Sequence, residues 1–290
     1  MLPGTLWARI IEQTQHALDC GALRSIPTNY EIVEQDGVQF LVRILANLTR
    51  KELVTQQQSQ TITSGEAFNP FLPYEEDLFV ADLSETHVCL LNKFNVVDYH
   101  LLIITRAFEE QESLLTLQDF LALWRCLIEY DGLAFYNAGR KAGASQRHKH
   151  LQLIPLPLFS GIAIAIEPWL ASAEFEGTIA TIPQLPFVHG LMRLSSWVQS
   201  PGKAAEEETI ACYHTLLDRL NLRAGSAYNL LATREWLLIV PRSQESFNSI
   251  AVNSLGFAGS LFVRDQAQMQ LLKDQRPMTI LTQVAVPLDR

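Results

Sequence analysis

Four short β-rich runs around one helical pattern constrain the fold of this chain more than any other feature. The first two, HVCLLNKF (87–94) and YHLLIITR (99–106), are separated by four residues, and this spacing predicts a hairpin or adjacent antiparallel strands. After the helical pattern, LAFYNAG (133–139) and HKHLQLIPLP (148–157) predict two further strands. Strands in this order around one helix predict an antiparallel sheet with a helix packed on it, which is the α+β class.

The helical pattern begins at Thr116, which together with Asp119 in the third helical position is typical of a capping box. Apolar residues then recur at helical spacing along one face: Leu117, Phe120, Leu121, Trp124, Leu127 and Ile128. We expect Gly132 to end this helix in a left-handed turn, because glycine adopts a positive φ at little steric cost.

The elements outside this core are predicted from periodicity and from turn residues. They are an amphipathic helix over 5–20, a strand over 38–48, a long loop over 49–78, an excursion or linker over 160–184, a helix over 205–221, a hairpin over 228–242 and a further unit over 253–264. We therefore expect two regions: a domain with an N-terminal extension over 1–178, and an α+β region over 179–290 packed on it.

Composition and charge exclude several classes of protein. Of the 290 residues, 48% are hydrophobic and 18% charged, a balance that favours a soluble protein with a sizeable core. The net charge of −9 argues against binding polymeric nucleic acid through a broad basic face. No apolar run has the ~18 residues that a membrane helix needs, and the N-terminal segment does not resemble a signal peptide. We expect a cytoplasmic protein whose four cysteines are reduced, buried thiols.

Two of the seven histidines, His148 and His150, stand one residue apart at the start of the fourth strand. Because side chains alternate along a strand, His148, His150 and Gln152 are predicted to share one face. The preceding loop is rich in groups that can bind phosphate: Asn137, Gly139, Gly143, Ser145 and Gln146, with the cations Arg140, Lys141, Arg147 and Lys149. Backbone amides and cations of this kind favour a polyphosphate pocket over a solvated basic loop.

A zinc site is the alternative use of two such histidines. It would need another protein ligand, and no Asp, Glu or Cys lies nearby in register. His100 and His189 remain as remote candidate ligands, and a purely structural pair of histidines is a third interpretation.

Five stretches of the sequence, two of which overlap, carry a resemblance to a known family. HKHLQLIP resembles the histidine-triad (HIT) signature in the form that ends in Gln instead of a third histidine. NKFNVVDYHLLIITR and FYNAGRKAGASQRHKHLQ resemble more closely the ATP adenylyltransferases, also called diadenosine tetraphosphate (Ap4A) phosphorylases. YNLLATREWLLIVPRS and NSLGFAGSLFVR resemble the C-terminal region of that family, so the resemblance extends over most of residues 66–264.

The resemblance implies a HIT-like catalytic domain over 1–178, an ATP-adenylyltransferase-type domain over 179–290, and a nucleotidyltransferase activity. Such enzymes cleave Ap4A with inorganic phosphate to ATP and ADP, reversibly, through a nucleotidyl-histidine intermediate. The nucleophile would be His150, with its other ring nitrogen held by the backbone carbonyl of His148. The side chain of His148 would assist with the phosphate or the leaving group, or orient the loop, and Gln152 would hold the α-phosphate oxygens.

The same resemblance implies the substrate-binding residues. Lys93 matches a lysine that faces the phosphates, and Asn137, Ser145 and Gln146 match positions that touch phosphate or ribose. Gly143 and Arg140 belong to the phosphate loop, while Asn92 and Asn95 would bind ribose or turn the chain. Thr105 and Arg106 are weaker candidates, and Arg106 has a solvated strand end as its alternative.

The remaining expectations concern the cofactor, the binding partners and the alternative functions. We expect no tightly bound cofactor or metal, with Mg²⁺ only as a companion of the polyphosphate. The partners would be small nucleotides and phosphate (Ap4A, ATP, ADP), with no membrane and no polymeric nucleic acid, and the protein would be a monomer or a homodimer. The alternatives are a hexose-1-phosphate nucleotidyltransferase or hydrolase of the same superfamily, and a nucleotide sensor without turnover.

Overall fold

A ten-stranded antiparallel sheet organises the computed structural model, which describes residues 4–45, 69–159, 161–194 and 203–288. Its strand order is β3-β4-β5-β7-β6-β11-β12-β10-β9-β8. The strands of this sheet are Phe79–Asp82 (β3), His87–Leu91 (β4), Leu101–Thr105 (β5), Gly132–Ala138 (β6), His150–Pro155 (β7), Glu174–Glu176 (β8), Ile179–Thr181 (β9), Gly190–Arg193 (β10), Tyr228–Ala232 (β11) and Trp236–Pro241 (β12). The α+β class and the four central strands are therefore confirmed.

A smaller sheet lies against one face of the large one. It consists of Thr28–Gln35 (β1), Val38–Leu45 (β2) and Ser260–Val263 (β15), in which β15 pairs parallel to β2. A two-stranded pair, Ser246–Phe247 (β13) and Ile250–Ala251 (β14), stands apart from both sheets. The strand predicted over 38–48 is thus confirmed to residue 45; its end, and residues 49–68 of the predicted loop, lie outside the described residues.

Helices cover both faces of the large sheet. Among the described residues they are Leu6–Asp19 (α1), Leu117–Leu127 (α2), Glu167–Leu170 (α3), Lys203–Arg219 (α4), Ser254–Phe257 (α5), Gln266–Gln275 (α6) and Pro277–Val284 (α7). Buried side chains of α1, α2 and α4 share one core with the sheet, and α3 and α5 to α7 share the opposite core with the small sheet. None of the described helices is both long and apolar enough to cross a membrane.

One prediction about local structure is wrong, and one of two alternatives for another segment is excluded. Gly132 does not end the helix: α2 ends at Leu127, and Gly132 is the first residue of β6. A side chain there would crowd the neighbouring strand, because an added Cβ would lie 2.7 Å from Leu153 Cδ1 and 3.0 Å from the carbonyl oxygen of Ile154. The segment over 160–184, predicted as an excursion or a linker, is not a linker, because it contains α3, β8 and β9 and the two strands extend the edge of the large sheet. The division into domains at 178/179 stays a prediction.

The cysteine prediction is wrong in one respect. All four thiols are free, but Cys20 is exposed, whereas Cys89, Cys126 and Cys212 are buried. Cys20 follows the last residue of α1 and lies at the helix end, where its side chain is not covered by the sheet.

The predicted capping box is confirmed, and its carboxylate does more than cap α2. Thr116 Oγ1 accepts from the Asp119 amide, and Asp119 Oδ2 accepts from the Thr116 amide. The same carboxylate accepts from Lys149 Nζ at 2.8 Å and contacts His87 Nε2 at 3.0 Å. Burial alone would raise the pKa of Asp119, but the hydrogen bond from His87 and the charge of Lys149 lower it to about 2.

We expect Asp119→Ala to destabilise the fold by about 3–5 kcal/mol, because it leaves the buried Lys149 ammonium without its buried counter-charge. Both side chains of this pair are 1% exposed. The measurement is the free energy of unfolding from urea titration. The control is Glu176→Ala, which breaks a pair with Arg219 whose side chains are 86% and 58% exposed, and should cost less than about 1 kcal/mol. An equal decrease in the free energy of unfolding in the two variants would show that the buried pair of Asp119 and Lys149 stabilises the fold no more than a surface ion pair.

Candidate functional site

His150 stands at the start of β7 with its imidazole buried. Its Nδ1 lies 2.8 Å from the backbone carbonyl oxygen of His148. A carbonyl can only accept, so in the neutral ring Nδ1 carries the proton and the lone pair is on Nε2. Burial lowers the pKa of His150 to about 4, although the bond to the His148 carbonyl opposes that shift. The imidazole is therefore neutral at pH 7, with an unprotonated nitrogen for attack on an electrophile.

The backbone of His150 is held by a buried glutamine that the sequence analysis missed. Pairing between β6 and β7 ends at Phe135 and Gln152, so the strands diverge before His150 is reached. The Gln111 side chain fills the gap: its Oε1 accepts from the His150 amide at 2.8 Å, and its Nε2 donates to the carbonyls of His150 and Asn137 at 3.2 and 3.0 Å. The amide of Gln111 thus takes the place of a peptide group of a neighbouring strand.

Both ring nitrogens of His148 are occupied by the protein. Nε2 lies 2.8 Å from the Thr105 carbonyl oxygen, to which it must donate, and 2.9 Å from Thr105 Oγ1. Nδ1 then accepts from Asn69 Nδ2 at 3.0 Å. Burial lowers the pKa of His148. A phosphate contact would have to replace one of these bonds, so the geometry favours the orienting role over the assisting role; both stay predictions.

Gln152 follows His150 by two residues on the same face of β7, as alternation predicts. Its Oε1 lies 3.0 Å from Nε2 of His100, and Nδ1 of His100 lies 3.1 Å from Nδ2 of Asn92. The three side chains form a hydrogen-bonded line along the edge of the site. Asn92, predicted to bind ribose or turn the chain, contacts His100, whose only predicted role is that of a remote metal ligand.

Asn137 lies on the same face of β6 and is buried in a polar cluster with residues from the C-terminal region. Its Oδ1 accepts from the Ser254 amide at 2.9 Å and from Asn229 Nδ2 at 2.8 Å. Asn229 Oδ1 in turn accepts from Nη1 of the buried Arg242. Because its carbonyl oxygen is engaged, Asn137 has its amide NH₂ group left to offer a ligand. The three partners are 92 or more residues away in sequence, and no local pattern identified them.

Several backbone amides in the loop between β6 and β7 are hydrogen-bonded to carbonyl groups of the same loop. Gly143 has a φ of 92°, and an added Cβ would lie 2.8 Å from the Val252 carbonyl oxygen. Its amide donates to the Arg140 carbonyl, and the amides of residues 142 and 144 donate to the carbonyl of Gly139. These amides are therefore not free for phosphate in this structure. Ser145 is exposed and Gln146 half-buried, and their predicted contacts stay predictions.

The basic residues named as candidates for the polyphosphate pocket do not all lie together. Three pair with carboxylates near the surface: Lys93 with Glu75, Arg140 with Glu245 and Arg147 with Glu110. Lys149 lies on the opposite face of the sheet, buried against Asp119, because the alternation that places the two histidines together sends the residue between them the other way. Lys149 is therefore excluded from the phosphate pocket.

Aromatic rings flank the two histidines. The ring of Phe71 lies 5.6 Å from His148 and 5.4 Å from His150, and Phe108 lies 5.5 Å from His148, all centroid to centroid and edge-on. A small apolar cluster adjoins them on the same face: Val88, Leu90, Leu102 and Ile104, with Tyr74 and Phe79. An apolar wall beside a polar strand is what a ligand with one flat apolar end and one anionic end requires.

Metal-ligand geometry occurs elsewhere in the part of the chain that is described. His16, Cys20 and Asp77 bring their ligand atoms within 4.8 Å of one another at the surface. Both ring nitrogens of His189 are hydrogen-bonded to backbone groups, so it is not available to join His148 and His150. The absence of a catalytic metal stays a prediction.

Comparison with protein families identifies the class. A model of the Ap4A phosphorylase N-terminal domain matches residues 1–172, and a model of the ATP adenylyltransferase C-terminal domain matches residues 183–287. The first match alone covers more than half of the chain. The chain belongs to the Ap4A phosphorylase family, and the resemblance inferred from its motifs is confirmed.

Particular relatives come from Saccharomyces cerevisiae. The chain is 29% identical over 245 residues to diadenosine 5',5'''-P1,P4-tetraphosphate phosphorylase 2, covering 73% of this chain and 74% of the relative. It is 26% identical over 297 residues to Protein APA1, covering 91% and 88%. The crystal structure of yeast Ap4A phosphorylase Apa2 in complex with Ap4A superposes with a TM-score of 0.82 at 24% identity, covering 99% of each chain. The last comparison confirms the fold.

The buried histidines predict how stability depends on pH. The pKa of His150 and that of His100 are both about 4 in the folded protein, whereas an unfolded histidine titrates near 6.5. The unfolded chain therefore binds more protons between these values, so the stability present above pH 6.5 is lost as the pH falls toward 4. Each histidine adds up to about 1.4 kcal/mol per pH unit to that slope.

Urea titrations between pH 7 and pH 4.5 test this expectation. His150→Gln should give a shallower decrease in the free energy of unfolding than the wild type, because one buried titrating group is gone. His214→Gln, at an exposed position of α4, is the control. A slope that is unchanged by His150→Gln would show that this ring titrates normally in the folded state.

Proposed function

We propose that this protein cleaves diadenosine tetraphosphate with inorganic phosphate, giving ATP and ADP, through a nucleotidyl intermediate on His150. The single observation that carries the proposal is the 2.8 Å hydrogen bond from Nδ1 of His150 to the His148 carbonyl. It fixes the tautomer in which Nε2 holds the lone pair. The names of the yeast relatives support the same substrate, and Ap4A is bound in the structure of Apa2.

The reaction takes two steps. Nε2 of His150 attacks the α-phosphorus of one adenylate, an N–P bond forms, and the bond from that phosphorus to the bridging oxygen breaks, so that ATP leaves with the electron pair. An oxygen of inorganic phosphate then attacks the same phosphorus, the N–P bond breaks, and ADP leaves. In the reverse direction His150 takes the adenylyl group from ADP, inorganic phosphate leaves, and an oxygen of the terminal phosphate of ATP then attacks the same phosphorus, breaking the N–P bond and giving Ap4A. Splitting the transfer in this way is the general advantage of nucleophilic catalysis.

The neighbouring groups divide the remaining work. The carbonyl oxygens of the Gln152 and Asn137 side chains are engaged by protein donors, so their NH₂ groups would be the ones to donate to phosphate oxygens, whereas an amide is a poor acid or base. To bind phosphate, Lys93 would have to leave its ion pair with Glu75, and Arg140 its ion pair with Glu245. Ion pairs at the surface contribute little stability, so these pairs can be broken at small cost. Mg²⁺ would be carried mainly by the polyphosphate. A cytoplasmic location and a monomeric or dimeric state remain part of the proposal.

The decisive experiment is incubation with Ap4A in the presence and absence of phosphate, with the products separated by chromatography. Formation of ATP and ADP that requires phosphate supports the phosphorylase. AMP and ATP without phosphate would indicate a hydrolase instead. Binding without any product would favour the sensor, and turnover of a hexose-1-phosphate nucleotide but not of Ap4A would favour the related transferase.

His150→Ala is expected to abolish turnover while changing the affinity for AMP by less than about tenfold, or 1.4 kcal/mol. The reason is that the variant loses the attacking nitrogen but keeps the apolar wall and the amides. Initial rates with Ap4A and calorimetric titration with AMP provide the two numbers, with His214→Ala as the matched control that should keep both. More than a few per cent of residual activity in His150→Ala would assign the nucleophile to another residue.

Gln152→His is expected to raise hydrolysis relative to phosphorolysis. A histidine at this position can move a proton near the phosphorus, which an amide cannot, and general acid–base catalysis reaches roughly 10² or more in favourable cases. The measured quantity is AMP formed per ADP formed at a fixed phosphate concentration. An unchanged ratio in an active variant would show that the acceptor is selected elsewhere, for example by the loop over 139–147.

A further inference from the structure

A line of three side chains determines how the Gln152 amide is oriented. Asn92 Oδ1 accepts from the amide of Phe94 at 3.4 Å, so its Nδ2 is the group that faces Nδ1 of His100, 3.1 Å away. Nδ2 can only donate, and Nδ1 of His100 must therefore be the unprotonated nitrogen. In the neutral ring the proton is then on Nε2, which donates to Oε1 of Gln152 at 3.0 Å.

The strand register places this line beside the nucleophile. Leu102 of β5 is paired with Gln152 of β7, and Ile104 with His150. His100 precedes Leu102 by two residues, so its side chain is the diagonal neighbour of Gln152 on the same face. Gln152 consequently lies between His100 and His150. With its carbonyl oxygen bound to His100, its NH₂ group is left for the phosphates that His150 attacks.

The surroundings of His100 keep it in the donating state. Burial lowers its pKa to about 4, against the bond to Gln152, which raises the pKa. The ring is 8% exposed and packs on Phe135, with the centroids 5.6 Å apart. A neutral imidazole held by two hydrogen bonds is a directional donor, whereas water in the same place could donate to the amide oxygen or accept from the amide NH₂ group with equal ease.

We propose that His100 is a positioning residue for catalysis: it holds the amide of Gln152 so that the NH₂ group, and not the carbonyl oxygen, faces the phosphate oxygens. The inference rests on the proposed function of the site. The two ends of a glutamine amide have nearly the same shape. The flipped orientation fits the same space but presents an acceptor to an anion, which repels the substrate instead of holding it.

A double-mutant cycle separates this role from a purely structural one. His100→Phe keeps a buried ring but removes the donor. It is expected to lower kcat for phosphorolysis roughly tenfold, because one hydrogen bond favours one orientation of the Gln152 amide over the other by about that factor. Gln152→Ala should lower kcat at least as much. The double variant should be no slower than Gln152→Ala alone, because His100 acts only through that amide.

His100→Gln is the conservative rescue, since its Nε2 can donate to Oε1 of Gln152, and we expect it to recover most of the wild-type kcat. Far-UV circular dichroism and urea midpoints verify that each variant is folded. Additive losses in the double variant, or a fully active His100→Phe, would overturn the proposal. So would a wild-type rate in Gln152→Ala, because there would be no amide function to position.

A measurement without turnover keeps this inference distinct from the proposed function. Nitrogen-15 NMR of the histidine rings in the wild-type protein should show His100 protonated on Nε2 and unprotonated on Nδ1 at pH 7, with the signal assigned by its loss in His100→Phe. The opposite tautomer overturns the inference whatever the activity. Should Ap4A not be a substrate, the same cycle is measured by the affinity for AMP, where non-additive losses support the positioning role and additive losses exclude it.

Discussion

The alternation of side chains along β7 is the constraint on which the site depends. His150 and Gln152 point to one face of the large sheet, and Lys149, Leu151 and Leu153 point to the other. Both faces are covered, so a slip of one residue would bury the histidines among the helices and push the lysine into the site. The buried pair of Lys149 and Asp119 opposes such a slip, because it is satisfied in one register only. The ion pair that stabilises the fold therefore also fixes the direction of His150, the proposed nucleophile.

Each buried hydrogen-bonding group of a strand requires a partner. In this site, side chains supply the hydrogen bonds that a neighbouring strand would otherwise make. Gln111 replaces the missing strand contact at His150, and Thr105 and Asn69 engage both nitrogens of His148. These hydrogen bonds also determine which nitrogen of each ring carries the proton. The same hydrogen bonds therefore stabilise the site and set the tautomers of its histidines. They also allow His150 to be buried, and this burial lowers its pKa.

The parts that depend on local sequence could be predicted, and the parts that depend on distant contacts could not. The strand pattern, the capping box at Thr116 and the shared face of His150 and Gln152 follow from neighbours within a few residues. Gln111 lies in an irregular segment with no periodicity, and its position is set by where β6 and β7 diverge. Gly132 illustrates the same limit: a glycine between a helical pattern and a strand resembles a helix stop until the approach of Leu153 in the neighbouring strand is known.

The C-terminal region is connected to the candidate site by strand pairing and by hydrogen bonds to Asn137. β11 pairs with β6 along its whole length, opposite Asn137, and Arg242 carries the chain of hydrogen bonds through Asn229 to that residue. Burial lowers the pKa of Arg242 to about 10, which still leaves its guanidinium charged at pH 7, with carbonyl oxygens as its main acceptors. A buried cation of this kind is costly unless every donor is satisfied. Its partners come from the segments around residues 142, 229, 252 and 284, so the orientation of the Asn137 amide is established only when both family regions are folded together.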